Sequence, residues 1–193
     1  MARVYEVLTT EQAEHFLAHG WTVVHDCLDR EIAERYTDLA YRRLGYDRDS
    51  PETWAEPMVH MPDMHIWQIK EFAPKAWGAI CDVIGGEDRQ GGRFGDKWSD
   101  CFIVNFSQGA DRPWEPPSAN VGGWHKDGNF FRHFLDSPEQ GLLTIVLWSD
   151  VLPQSGGTFI APDSVGHVAR FLADHPEGAD NGAGSGELIS RCE

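Results

Sequence analysis

The triplet His125-Lys126-Asp127 is the place in this chain where residue types and spacing best fit chemistry. In an extended segment, side chains at i and i+2 project to the same face, so an imidazole and a carboxylate would stand together. That is two-thirds of the 2-His-1-carboxylate set, which holds Fe(II) and leaves positions open for oxygen and a co-substrate. Chance alone supplies roughly one such triplet in a chain of this composition. His175-Pro176-Glu177 is a second formal match, weakened by its Pro and its loop setting. A surface His–Asp pair beside a turn is the plain alternative. Context favours the first match. Gly122-Gly123-Trp124 lets the backbone enter a tight site, Phe130 and Phe131 follow as a water-excluding wall, and an apolar strand-length run lies about twenty residues on.

The elements that must position these residues read as helices first and strands later. Thr9 with Gln12 forms a capping box ahead of Ala13, Phe16 and Leu17, and Gly20 ends that helix. Residues 21–25 read as a short strand. A second helix starts near Asp29, carries Ile32, Tyr36, Leu39 and Ala40 on one stripe, and stops at Arg42-Arg43-Leu44-Gly45. Residues 46–64 read as an irregular loop. Ala73 to Ile84 reads as a third helix, with Pro74 in its first turn and Gly85-Gly86 beyond it. Residues 101–106 are β-rich, and a Pro/Gly loop runs from Gly109 to Gly123. Leu142 to Trp148 has the continuous apolar character of a strand buried on both faces. Residues 158–161 make a further strand after a turn, and 176–187 a flexible loop. The expected class is α+β, with helices packed on an antiparallel barrel or sandwich.

Composition bounds the rest. The 193 residues fit one domain with a core of its own. A formal charge of −15, from 16 Lys and Arg against 31 Asp and Glu, repels phosphate backbones and anionic lipid. Nucleic acid and membranes are therefore not expected partners. No apolar run reaches membrane-spanning length and no signal peptide opens the chain, so a cytoplasmic location is expected. Cys27, Cys81, Cys101 and Cys192 contain no Cys-x-x-Cys and read as buried, reduced thiols.

Taken together, residues 123–128 (Gly-Trp-His-Lys-Asp-Gly), the run from Leu143 to Trp148, and residues 156–164 (Gly-Gly-Thr-Phe-Ile-Ala-Pro-Asp-Ser) resemble the phytanoyl-CoA dioxygenase family. Residues 8–24, with Phe16 and the Gly20-Trp21 junction, are similar to that family's opening helix and strand, so the resemblance spans roughly residues 8–170. It implies a double-stranded β-helix, a jelly-roll barrel, and an Fe(II)- and 2-oxoglutarate-dependent dioxygenase that hydroxylates a small organic substrate. His125 and Asp127 would then be metal ligands. Trp148 matches the aromatic position beside 2-oxoglutarate, and Asn105 lies on a strand that faces this co-substrate. A carboxylate at Asp127 favours hydroxylation, because halogenating relatives carry a small residue there. The acidic surface favours a substrate less anionic than a CoA thioester.

The chain departs from the family in one respect. Nothing after Asp127 matches the late strand carrying the distal His, or the Arg beyond it that pairs with 2-oxoglutarate. The 193-residue domain is accordingly expected to be C-terminally incomplete. His133, His167 and His175 are the remaining histidines that could complete the metal set, His167 falling where relatives have a turn whose His is not a ligand. Arg170 and Arg191 lie outside the expected context. His65 falls in a region that relatives place near the co-substrate. His15 and His19, at i and i+4, read as a solvated helix face. Two other readings stand beside the oxygenase: a catalytically silent or truncated relative acting as a binding module, and a cupin-like metal module without 2-oxoglutarate. The sequence does not fix the oligomeric state.

Overall fold

The computed structural model describes residues 4–91, 95–106 and 111–192. Its N-terminal elements follow from local signals. Helix α1, Thr10–His19, begins at a complete capping box in which the Thr9 hydroxyl accepts from Gln12 N and the Gln12 side chain accepts from Thr9 N. Gly20 ends it with φ +76°. Helix α2, Arg30–Leu44, is capped by Asp29, whose carboxylate accepts from Glu31 N, and is ended by Gly45 in the left-handed region. Residues 21–25 form no strand. They run as coil, returning along α1 with the Gln12 side chain donating to Val23 O at 2.8 Å.

Two short antiparallel ladders follow. Strand β1, Met58–His60, lies within the segment expected to be loop, and strand β2 is Ile66–Gln68. The short helix α3, Ile69–Phe72, leads into α4, Pro74–Ile84, which has Pro in its first turn and Gly85 as its stop. Strand β3, Lys97–Ser99, pairs with β2, and β4, Ile103–Asn105, pairs with β1. The two ladders are one ribbon with a break. Met61 N donates to Phe102 O and Asp100 N to His65 O, so five residues, 61–65, stand opposite three, 100–102.

Helix α4 is buried on most sides: Ala76, Trp77, Gly78, Ala79, Ile80 and Asp82 are all inside. One face packs with Ile69 and Ala73, the other with Leu8 and Ala13. Gly78 permits the close approach of Val7, since a Cβ there would sit 2.5 Å from Val7 Cγ2. The Asp82 carboxylate accepts from the backbone N–H groups of Glu6, Val7 and Leu8, fastening the N-terminal segment to the helix. A third cluster gathers Ala40, Met61 and Phe102 with Tyr36, Val59, Val104 and Trp148.

The second half of the chain differs from expectation. The run Leu142–Trp148 is not a strand; Leu143, Ile145 and Leu147 are 61%, 52% and 63% exposed. Residues 158–161 are likewise unpaired, with Phe159 and Ile160 at the surface. An apolar run supplies side chains for a sheet, but a ladder also needs a neighbouring backbone, and none is present among the described residues. Helix α5, Ser164–Ala173, contains His167, and a short helix α6, Ser185–Ile189, ends the segment expected to be flexible. Gly109 and Ala110, where the expected Pro/Gly loop begins, lie outside the described residues. The α+β class holds, with sheets of two strands each and no closed barrel among the described residues. No helix among those residues is long and apolar enough to cross a membrane. All four cysteines are free, Cys101 exposed and the others half-buried, so the expected burial is only partial.

At the ribbon break sits Asp100, fully buried. Its Oδ1 accepts from Met64 N (2.6 Å) and His65 N (2.8 Å), and its Oδ2 from Arg43 (3.0 Å) and the His65 ring (2.8 Å). Burial by itself would raise the Asp100 pKa, but these donors outweigh it and hold the carboxyl below its ordinary 3.8. A group with a depressed folded pKa stabilises above the unfolded value and loses that contribution as pH falls below it. Replacing Asp100 by Ala is expected to cost about 3–5 kcal/mol, because Arg43 loses its buried partner. Urea titrations over pH 2–6 check this. The wild type should lose stability below about 3.8, and the variant should show a flatter curve in that window.

Candidate functional site

Residues 125–127 are not in a regular strand; they are coil ending in a bend at Asp127, and their exposure still alternates. His125 and Asp127 are exposed and Lys126 turns inward. The Lys126 Nζ donates to Asn181 O (3.0 Å) and Ala183 O (2.6 Å) and lies 5.5 Å from the centre of the Phe171 ring. Burial pushes its pKa below the ordinary lysine value, with Asp180 opposing that shift. Lys126 N also donates to Asn181 O. Arg132 completes the attachment: its guanidinium donates to Glu177 O and Gly178 O and pairs with Asp180. The segment expected to be a flexible loop is therefore the brace behind the triplet, closed by the antiparallel bridge between His133 and Ala179.

The functional atoms of the pair are oriented by their neighbours. The His125 Nδ1 lies 2.7 Å from Gly123 O. A carbonyl only accepts, so Nδ1 carries the proton and Nε2 offers its lone pair. Asp127 Oδ1 accepts from Gly128 N at 2.9 Å, leaving Oδ2 open. An imidazole whose second nitrogen donates to a backbone carbonyl and a carboxylate steadied by an N–H are the usual supports of metal ligands.

The other candidates separate. His133 is fully buried and has both nitrogens engaged. Nε2 donates to Gly128 O (2.7 Å) and Nδ1 accepts from Gln140 (2.9 Å), so it offers no lone pair to a metal. His175 donates from Nδ1 to Phe171 O and packs on the Phe171 ring, which Lys126 also approaches. His167 lies on α5, half-buried. Among the described residues no three His, Cys, Asp or Glu side chains come together as a metal set. Trp148 packs among Tyr36, Trp67, Phe72 and Phe102, and Asn105 sits on the outer row of β4 opposite Met58. No hydrogen bond or ring contact joins either of them to His125 or Asp127. Arg191 pairs with Glu187. The expected aromatic wall is partial: Phe130 is exposed, while Phe131 stacks on His133 at 4.4 Å.

His65 is the histidine whose support the sequence did not reveal. Its Nδ1 is fixed by buried Asp100, its ring is about half exposed, and it stacks over Trp67. No local pattern marks this pair, because the partner lies 35 residues away. The chain matches no family model, no curated protein and no solved structure.

The turn after Asp127 depends on Gly128. Its φ of +102° disfavours a side chain, and a Cβ would lie 2.1 Å from Phe131 Cε1. Gly128→Ala is expected to destabilise by about 2 kcal/mol or more, from backbone strain together with overpacking. Thermal unfolding measures the loss. Histidine ring NMR shifts should show that the surroundings of His125 and His133 change with it.

Proposed function

We propose that the chain is a non-haem Fe(II)- and 2-oxoglutarate-dependent dioxygenase of the phytanoyl-CoA dioxygenase type, hydroxylating a small organic substrate. The observation that supports it most is that His125 and Asp127, either side of the anchored Lys126, are both exposed, each with one atom held by the backbone and the other, Nε2 or Oδ2, open. These two atoms fit two of the three protein ligands of such a centre. The described residues supply no third. Bound iron with 2-oxoglutarate would supply oxygen activation and C–H oxidation, the co-substrate leaving as succinate and CO2.

The chain's own part is positional. The Gly123 carbonyl keeps the His125 proton on Nδ1, the Gly128 N–H holds the carboxylate, and Lys126 and Arg132 fix the backbone that carries both. In this reading the two ladders belong to a double-stranded β-helix, and Trp148 and Asn105 flank the co-substrate. The charge of −15 favours a substrate that is neutral or only weakly anionic.

A binding module without catalysis is the second reading. It is favoured by the lack of a third ligand among the described residues and by the exposure of the pair. Anaerobic titration with Fe(II) and 2-oxoglutarate separates the two. The dioxygenase reading expects a visible metal-to-ligand charge-transfer band in the wild type that disappears in His125→Ala and Asp127→Ala. A wild type without the band would overturn it in favour of the module.

A further inference from the structure

We propose that His15 and His19 form a two-imidazole clamp for an exchangeable divalent ion of the Zn(II), Ni(II) and Cu(II) class. The two residues are one turn apart on the same side of α1, a spacing at which two imidazoles can share one ion. Their ring centroids lie 4.5 Å apart with a tilt of 42°, so the two rings are already side by side. The His15 Nε2 is buried and has no hydrogen-bond partner. A buried polar nitrogen without a partner calls for an explanation, and an ion held jointly with the exposed His19 provides the missing contact.

The neighbourhood holds this geometry in place. Gly20 turns the chain at the end of α1, and Trp21 then meets the His15 ring edge-on, with centroids 4.6 Å apart and an angle of 88°. Gln12, one turn before His15, pins the returning segment through Val23 O. The His15 ring is thus set before any ion arrives, while exposed His19 is free to adjust. His19 lies in the last turn of α1, where the negative end of the helix dipole favours a cation. The acidic net charge acts in the same direction. Imidazole nitrogens suit this class of metals. Two protein ligands leave the remaining positions to water, so the ion exchanges and is not a structural staple.

The proposal is independent of the iron reading, and its test keeps them apart. The full chain carrying His125→Ala and Asp127→Ala is titrated with Zn(II) against a chromogenic chelator. Paramagnetic Ni(II) broadening of histidine ring resonances is followed in parallel. The expected result is one bound Zn(II), with His15 and His19 broadened together at the lowest Ni(II) additions. Adding His19→Ala, an exposed change that leaves the helix intact, should abolish chelation, and His15→Gln should do the same. Zn(II) binding at undiminished strength in the His19→Ala chain overturns the clamp. So does selective broadening of other histidines, or the absence of bound Zn(II) before His19 is changed.

Discussion

The junction of α2 with the two ladders passes through the carboxylate of Asp100. A buried carboxylate is unfavourable unless its oxygens are occupied by donors, and here four donors converge on it. They come from separate places: Arg43 near the end of α2, the N–H groups of Met64 and His65, and the His65 ring. Arg43 also donates to Asp100 O and Pro62 O. The break in the ribbon creates the need. Two extra residues on the 61–65 side push backbone groups out of the ladder, and the side chains of Asp100 and Arg43 take their places. One ion pair thereby joins α2 to both ladders and sets His65 with its outer nitrogen away from the carboxylate.

What could be read from the sequence divides along the same line between local and distant partners. The starts and stops of α1 and α2, and the Pro start and Gly stop of α4, were legible because the partner of each signal lies within a few residues. Strand β1 was not, since Met58–His60 is defined by Ile103–Asn105, more than forty residues away. The run 142–148 failed in the opposite way. Its composition is that of a strand, but strand formation depends on a partner that composition does not reveal. The outward turn of His125 and Asp127 about inward Lys126 agrees with a period of two, although no ladder carries it. The roles of Lys126 and Arg132, and the support of His65 by Asp100, were not legible, because each rests on a contact between distant segments.

The candidate site is held in an unusual way for a protein with strands. Its scaffold is a single bridge between His133 and Ala179 together with long cationic side chains reaching backbone carbonyls: Lys126 to Asn181 and Ala183, and Arg132 to Glu177 and Gly178. Hydrogen bonds from a charged donor contribute about 1.5–3 kcal/mol each, more than a neutral pair. A few of them can therefore stand in for several ladder bonds. They also act at the end of flexible stems, so they fix one point and not a line. The pair's exposure follows from this. With Lys126 drawn inward to the Phe171 ring and the carbonyls behind it, the residues on either side must turn outward. The same inward residue that anchors the segment thus directs both His125 and Asp127 to the solvent side, where a metal ion and its co-ligands could reach them.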